Sequence, residues 1–418
     1  MSRTKSWSIL FVAAAAFLGA FLVRDTGDRS PVERTRTPVA LRTADPARSE
    51  DAARELEEEA SRPGPSAPGR AASEAARPAE EKDPEDAEEG EVDEAALVRL
   101  YGETPLTTDH PQVKSAIEIQ ERNTDWLMAH PAVVGTGVGL NGKGEVALLV
   151  LTRVDAPELP KVVEGLPVVV EKTGEIHARN RQDATVRTHT GGIGGTAEYA
   201  RPVPIGVSSG HFNITAGTIG CRVKNAAGDV FALSNNHVYA NENLGAIGDN
   251  CLQPGPFDGG VNPDDAIGTL HDFQPILFDG SNNTIDAAIA VSSTSSLGNA
   301  TPSGVGYGIP KSATQSASFS LKVKKVGRTT GSTSSRVTGL NVTVNVGYDS
   351  GVARFVGQIY ISSRTFSAGG DSGSLIVVNG GKNDRRPVGL LFAGSANSTI
   401  ANPIGPVLSR FGVTVDGN

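Results

Sequence analysis

The feature that most constrains the fold is the pattern of the second half of the chain, from about residue 202 to the end. Short apolar segments of β type alternate there with Gly, Asn and Ser, as at Val230–Leu233, Val342–Val346 and Val388–Phe392. Short strands that recur over roughly two hundred residues are typical of a β-sandwich or a pair of β-barrels. The 49 glycines and the low aromatic content also favour a turn-rich β architecture over a helical bundle.

The N-terminus predicts an export signal over residues 1–23. Arg3 and Lys5 precede an apolar run that ends at Val23. A positive flank, an apolar run and a polar exit are typical of such signals, and this run has the minimum length for crossing a bilayer. No convincing cleavage site follows it, so a cleaved signal peptide and a retained membrane anchor both stay open. Either one predicts an extracytoplasmic location.

Residues 24–94 predict a disordered, acidic linker rich in Ala, Glu and Pro. They carry 21 acidic against 11 basic side chains, which accounts for the net charge of −9, and almost no large apolar residues. Such a segment cannot bury enough apolar surface to offset its ordering entropy. The rest of the chain is nearly neutral and has no clustered basic stretch, which argues against a nucleic-acid partner.

A small α+β domain is predicted for residues 95–178, followed by a Gly/Thr/Arg-rich connection over 179–201. The pattern predicts an α-β-β-α-β order: a helix between Asp109 and Pro131, strands at Val133–Leu140 and Val146–Leu151, a short helix around Leu159–Val163 and a strand at Val168–Val170. The domain contains no nucleophile–base pair and no metal-ligand spacing.

The most specific local motif surrounds Ser372, which stands between glycines and precedes the apolar segment Leu375–Val377. A glycine turn before a strand suits a nucleophile on exposed backbone. Gly370 lets the chain turn so that the amides of Gly370 and Ser372 can converge on one point, as a developing oxyanion requires. A Gly/Ser-rich surface turn is the alternative interpretation.

A serine hydroxyl needs a base beside it, and His237 is the best-placed histidine because it follows the apolar segment Phe231–Leu233. A histidine base in turn needs an acceptor that fixes its tautomer. Asp286 is the candidate, since a carboxylate beside the apolar run Ala287–Val291 is unfavourable unless it is paired. Asp265, which follows a Pro/Asn/Gly turn, is the alternative acid.

The segments Leu233–Val238, Ile285–Ile289 and Gly370–Ser374 resemble the histidine, aspartate and serine signatures of the chymotrypsin/trypsin superfamily, in that family's order. The resemblance covers residues 202–418. It implies a mainly-β peptidase domain of two barrels, with a His-Asp-Ser triad in the cleft between them. No Ile-Val-Gly-Gly-type start precedes the domain, so activation by a new N-terminus that pairs with Asp371 is not expected.

A weaker resemblance, through Leu233–His237 and Leu252–Gly255, is to bacterial relatives of the plant narrow-leaf trypsin-like peptidases. The resemblance to the superfamily also places Phe366, Phe392 and Gly394 at the specificity pocket. Phe366 stands where an acid would select Arg or Lys, so the pocket is expected to take a neutral residue.

The two cysteines, Cys221 and Cys251, lie 16 residues before and 14 residues after His237. In an exported protein, two cysteines that bracket one loop predict a disulfide. Two free buried thiols are the alternative.

Peptide-bond hydrolysis through an acyl-enzyme is the predicted function, with a protein or peptide as substrate. A peptidase-like binding module without activity, and an esterase with the same three residues, are the alternatives. The sequence contains no metal-ligand cluster and no phosphate-binding loop, so neither a metal nor an organic cofactor is expected. The N-terminal segment predicts membrane association if it is retained.

Overall fold

The computed structural model describes residues 94–178 and 195–418. They belong to one structural unit, Asp83–Asn418. The predicted export signal lies outside the described residues, and so do residues 24–93 of the predicted linker and 179–194 of the predicted connection. Within the two described ranges, no helix is both long and apolar enough to cross a membrane.

The described part of the chain contains four α-helices: α1 (Glu94–Tyr101), α2 (Pro111–Met128), α3 (Asn236–Tyr239) and α4 (Ile404–Phe411). The long helix α2 begins with a proline in its first turn, where the missing N–H has no helical partner to lose. Its buried residues repeat at helical spacing, as the sequence predicts: Val113, Ala116, Gln120, Thr124 and Leu127.

Strands make up most of the remaining regular structure. The first eleven are β1 (Val133–Leu140), β2 (Val146–Thr152), β3 (Val162–Val163), β4 (Leu166–Lys172), β5 (His177–Ala178), β6 (Ser208–His211), β7 (Gly217–Thr218), β8 (Cys221–Asn225), β9 (Val230–Ser234), β10 (Asn250–Leu252) and β11 (Ala266–Phe273). The other ten are β12 (Asn282–Asn283), β13 (Ala288–Val291), β14 (Lys322–Gly327), β15 (Gly331–Arg336), β16 (Gly339–Tyr348), β17 (Gly351–Ser362), β18 (Leu375–Val378), β19 (Pro387–Ser395), β20 (Ser398–Pro403) and β21 (Val413–Val415).

The first sheet has eight strands in the order β21-β8-β9-β13-β11-β10-β6-β7, and we call it the first barrel. Its interior is filled by a single apolar cluster that includes Ile219, Leu233 and Ile289. Most of its neighbouring strands are close in sequence, whereas β21 adds the end of the chain to its edge.

The second sheet runs β15-β14-β18-β19-β20-β17-β16-β1-β2-β4-β3, with β12 pairing beside β17 and β5 beside β16 and β19. We call strands β14 to β20, counted in chain order, the second barrel. The strands β1 to β4 belong to the predicted N-terminal domain, and they continue this sheet through the antiparallel pairing of β1 with β16. The sheet therefore runs without a break across residues that the sequence assigns to two domains.

Two glycines of β1 permit this close pairing. A Cβ atom at Gly137 would lie 2.6 Å from Cγ2 of Val342, and one at Gly135 would lie 2.7 Å from the carbonyl oxygen of Thr343. Real Cβ atoms do not approach other atoms so closely, so glycine is required where β1 meets β16.

The short helix predicted around Leu159–Val163 is absent, and this part of the prediction is wrong. Val162 and Val163 instead form β3, which pairs antiparallel with the start of β4. β-branched valines favour the extended conformation, and Pro160 has no N–H to donate within a helix. The turn at Glu164 and Gly165, with φ of 47° and 82°, then returns the chain as β4.

These elements form a mainly-β, two-barrel fold of the chymotrypsin type, preceded by a small α+β region. Strands of both barrels contact the loop that contains Ser372. Thr218 of the first barrel donates its backbone N–H to the carbonyl of Ser372 at 2.7 Å, and Gly373 donates its own to Leu391 of the second barrel at 2.8 Å.

Candidate active site

His237 lies in the one-turn helix α3, which follows directly on β9. Strand β9 is paired on one side with β8 and on the other with β13, so its end is fixed by both neighbours. The imidazole is completely buried. A polar ring in this position needs a partner inside the protein.

Asp286 supplies that partner. It precedes β13, and the register of β13 on β9, in which Ala288 faces Ser234, brings the aspartate beside α3. Its Oδ2 accepts a hydrogen bond from Nδ1 of His237 at 2.5 Å, and its Oδ1 accepts one from the His237 backbone N–H at 3.3 Å. The pair is fully buried, so solvent does not weaken their interaction.

Two asparagines hold the backbone of Asp286. Asn235 donates its side-chain amide to the Asp286 carbonyl at 2.7 Å. Asn402, on β20, accepts from the Asp286 N–H at 3.1 Å and donates to the same carbonyl at 3.2 Å. Sequence reasoning missed both residues, because a buried asparagine has no local signature and Asn402 lies 116 residues away.

The alternative acid, Asp265, lies elsewhere. Its carboxylate accepts from the backbone N–H of Val261 at 2.7 Å and closes an exposed turn. The structure therefore brings His237 together with Asp286, and not with Asp265.

Ser372 lies in a loop whose conformation depends on glycine. Gly370 and Gly373, which flank it, have φ of 92° and 93°, values that other residues rarely adopt. A Cβ at Gly373 would lie 2.2 Å from Oγ of Ser234. Among the described residues, neither the Gly370 nor the Ser372 amide donates a hydrogen bond, so both stay free to act as donors.

The hydroxyl of Ser372 points to a backbone acceptor. It donates to the carbonyl of Phe392 at 3.2 Å, while the buried Nε2 of His237 has no hydrogen-bond partner in the described ranges. His237 and Ser372 are thus not hydrogen-bonded to each other here. Such contacts commonly tighten only when substrate is bound.

The residue before the serine, Asp371, is buried with a lysine. Nζ of Lys325 lies 3.2 Å from its Oδ2, and the hydroxyl of Thr330 donates to the same oxygen at 2.7 Å. Burial alone would raise the pKa of Asp371, but the lysine charge and these hydrogen bonds hold that pKa below its usual range. An internal cation therefore balances Asp371, and sequence reasoning did not identify it.

A second ion pair joins the two barrels beside the serine loop. Arg328 makes a bidentate contact with Asp258, at 2.6 Å for each bond, and both side chains are almost buried. A Cβ at Gly370 would lie 2.7 Å from Nη1 of Arg328, so the side chain of Arg328 packs directly against the backbone of the serine loop.

The three predicted pocket residues lie in different surroundings. The ring of Phe366 packs in one apolar cluster, and the ring of Phe392 packs against Phe355 in another, with centroids 4.7 Å apart. Gly394 lies on β19, opposite His177 of β5.

The disulfide predicted between Cys221 and Cys251 is wrong, since both thiols are free and buried. Their strands, β8 and β10, are separated in the sheet by β9, β13 and β11. Burial raises the pKa of Tyr239. The charged forms of the two nearby thiols would raise that pKa further. Burial also raises the pKa of each thiol, so both behave as small apolar core residues.

The fold defined above is that of the chymotrypsin-like serine peptidases. A family model described as the Nal1 C-terminal domain matches residues 291–402. No curated protein matches the chain significantly.

Several solved structures are similar to the chain over about half its length. A glutamic acid-specific serine protease, described as using a novel histidine triad in substrate binding, is 23% identical, covers 51% of this chain and 100% of its own, and has a TM-score of 0.37. Thermobifida fusca protease A is 18% identical, with 52% and 100% coverage and a TM-score of 0.37. Cellulomonas bogoriensis chymotrypsin is 20% identical, with 52% and 99% coverage and the same TM-score.

Proposed function

We propose that this protein is a serine endopeptidase that hydrolyses peptide bonds through an acyl-enzyme. The observation that carries the proposal is the buried hydrogen bond between His237 and Asp286, together with a serine loop that is held by both barrels. A buried imidazole oriented by a carboxylate is the arrangement that general-base catalysis requires.

The reaction assigns one role to each residue. The Ser372 hydroxyl turns from the Phe392 carbonyl towards Nε2 of His237, which accepts its proton as the oxygen attacks the scissile carbonyl. Asp286 stabilises the imidazolium that results. The free amides of Gly370 and Ser372 donate to the developing oxyanion, and His237 then protonates the leaving amine.

A small organophosphonate tests this proposal, because it reacts with an activated serine and needs no extended peptide site. We expect wild-type protein to be labelled between pH 6 and 9 (roughly the range over which an imidazole loses its proton), and Ser372→Ala to remain unlabelled. Absence of wild-type labelling throughout this range would support the inactive binding module instead.

Asp286→Asn and Asp265→Asn form a matched pair for the acid. We expect the first to lose labelling and the second to retain it, because Asp286 contacts the imidazole, whereas Asp265 closes a turn elsewhere. The reverse result would assign the acid to Asp265. Turnover of a peptide amide compared with an ester of the same acyl group separates the peptidase from the esterase alternative.

We also propose an extracytoplasmic location, supported by the basic flank and apolar run of residues 1–23. Cell fractionation with N-terminal sequencing tests it. Recovery of a chain that starts at Met1 in the cytoplasmic fraction would contradict it, and recovery in the membrane fraction would favour a retained anchor.

The match to the Nal1 C-terminal domain and the segment Leu233–His237 support a further proposal, that the protein is a relative of the plant narrow-leaf peptidases. The match spans only part of the peptidase region.

A further inference from the structure

The short strand β5 lies in a slot between β16 and β19. His177 pairs with Gly347 of β16 in parallel and with Gly394 of β19 in antiparallel register, and Ala178 pairs with Ala393. Gly347 also donates its N–H to the carbonyl of Ile176 at 2.9 Å. A three-residue segment of the N-terminal region is thus paired through its backbone with two strands of the peptidase region.

This slot ends at the candidate nucleophile. Ala393, the partner of Ala178, directly follows Phe392, whose carbonyl accepts the hydroxyl of Ser372. The pairing therefore approaches within one residue of the position that contacts the serine. Ser372 and His237 are 0% and 1% exposed while β5 occupies the slot.

The side chains of the segment alternate in the slot. Ile176 and Ala178 are buried in the same apolar cluster as Phe392, whereas His177 between them is exposed. Residues two apart lie on the same face of a strand. The apolar face of the slot therefore contacts an aliphatic residue, Ile176, and a small residue two positions later, Ala178. A Cβ at Gly347 would lie 2.7 Å from Nδ1 of His177, so a larger residue there would displace the His177 ring.

We infer that the slot between β16 and β19 binds extended peptides with an aliphatic residue two positions before a small residue, and that Ile176–Ala178 is its resident occupant. Strand addition gives the affinity, and the apolar face gives the preference. Because the occupant is covalently attached, its effective concentration is high and an external peptide must compete with it. The inference deepens the proposed peptidase function, since the slot would hold substrate beside Ser372.

Binding can be tested without turnover, in full-length chains that carry Ser372→Ala. Ala178→Glu places a charge on the buried face and displaces β5, whereas His177→Glu places the same charge on the exposed face and serves as the matched control. We expect a labelled Glu-Ile-His-Ala peptide to bind the Ala178→Glu chain at least ~10-fold more tightly than the control, measured by fluorescence anisotropy. A Glu-Ile-His-Glu peptide should not compete.

Amide exchange at Ala393 and Gly394 reports whether β5 has left the slot. Equal peptide binding by both variants, once exchange shows that Ala178→Glu has freed the slot, would overturn the inference. If that variant does not fold, Ile176→Ser replaces it, and excess peptide added to wild-type chain should speed exchange at Ala178. Unchanged exchange would count against the slot. Phosphonate labelling tests the peptidase function separately. Failure of that function can therefore be distinguished from failure of the slot inference.

A second inference rests on Tyr348, the last residue of β16. Its hydroxyl donates to Oδ2 of Asp286 at 2.9 Å, the same oxygen that accepts from His237. Its ring meets the imidazole edge to face at 5.9 Å and is enclosed by Phe278 and Phe355. These ring contacts hold the hydroxyl against the Asp286 carboxylate.

The charges around this hydroxyl keep it protonated. Burial of the hydroxyl, followed by the negative charge of Asp286, raises the pKa of Tyr348 well above its usual range, and the more distant Glu242 adds to the effect. Glu242 itself accepts from the backbone amides of Asp349 and Ser350. The raised pKa favours the protonated hydroxyl, which can donate to the carboxylate.

We propose that Tyr348 is a positioning residue that fixes Oδ2 of Asp286 for its hydrogen bond with His237. Without the donor, the carboxylate becomes more basic and attracts the protonated imidazole more strongly. Hydrogen bonds to charged groups support an expected loss of about ten-fold in phosphonate labelling rate for Tyr348→Phe. The acidic limb of its pH profile should move to higher pH.

Tyr360→Phe is the matched control, because Tyr360 is also a buried tyrosine that donates to a carboxylate, Glu171, away from the site. Proton NMR of the His237 Nδ1–H signal gives the titration directly and needs no turnover. An unshifted titration in folded Tyr348→Phe, or an equal shift in Tyr360→Phe, would overturn the positioning role.

Discussion

His237 and Asp286 on the first barrel are positioned by neutral amides, whereas the serine loop of the second barrel is supported by buried charges. Asn235 and Asn402 hold the backbone of Asp286. Asp371, beside the serine, is held instead by Lys325, and Arg328 pairs with Asp258 behind the loop. Neutral hydrogen bonds change little with pH, while a buried ion pair depends on both charges. The two halves of the site should therefore respond differently to substitution and to acid.

The largest expected effect is that of Lys325→Met. It leaves Asp371 buried without its cation, and removal of one partner of a buried pair typically destabilises a protein by about 3 to 5 kcal/mol. Lys324→Met is the control, since Lys324 pairs with Asp384 near the surface and should contribute less than about 1 kcal/mol. Chemical denaturation measures both, and equal losses would contradict the assigned role of Lys325.

A smaller loss is expected for Gly137→Ala, at the junction of β1 and β16. The added methyl group meets Val342, and such overpacking typically destabilises by about 1 to 3 kcal/mol. Gly142→Ala, in the hairpin turn between β1 and β2, adds a methyl group to open space and should be nearly neutral. A neutral Gly137→Ala would show that the two regions are not tightly paired in solution.

Lowering the pH should reduce the difference in unfolding free energy between wild type and Lys325→Met. The pKa of Asp371 is lowered in the folded state, so its contribution is present above the ordinary aspartate value of about 3.9 and is lost as pH falls through the folded value. In Lys325→Met, the Asp371 carboxylate is a buried charge without a cation. Its protonation removes that charge and so reduces the destabilisation of this variant. Unfolding free energies measured from pH 7 to 3 test this, and a constant difference would argue against the pair.

The smallest expected effect concerns the first barrel. Because Cys221 and Cys251 are free, a reducing agent should leave the thermal midpoint unchanged. A fall in the midpoint on reduction would mean that the mature protein forms the bridge that the sequence suggests.

Local patterns in the sequence were sufficient for the two-barrel class and for selecting His237, Asp286 and Ser372 as candidate residues. His237, Asp286 and Ser372 each follow or precede an apolar strand, and that pattern is visible within ten residues or so. The supports of the site are different: Lys325 lies 46 residues from Asp371, and Tyr348 lies 62 from Asp286. Nothing in a short window distinguishes such residues from ordinary core or surface positions, because their role depends on strand pairing.

The two errors have the same physical origin. Two cysteines around one loop suggest a bridge, but sequence does not give the number of strands between them. A short apolar run such as the one after Pro160 is compatible with a helix or a strand. Here the run forms a strand because it pairs with β4.

The continuous second sheet also bears on how the chain is made. Gly135 of β1 pairs with Val344, which is synthesised 209 residues later. Until then β1 has an open edge of unpaired amides and carbonyls, which is the type of surface that joins strands of neighbouring chains. Contacts this distant in sequence also slow folding. The nascent N-terminal region should therefore depend on a chaperone, or on delayed folding, until β16 emerges.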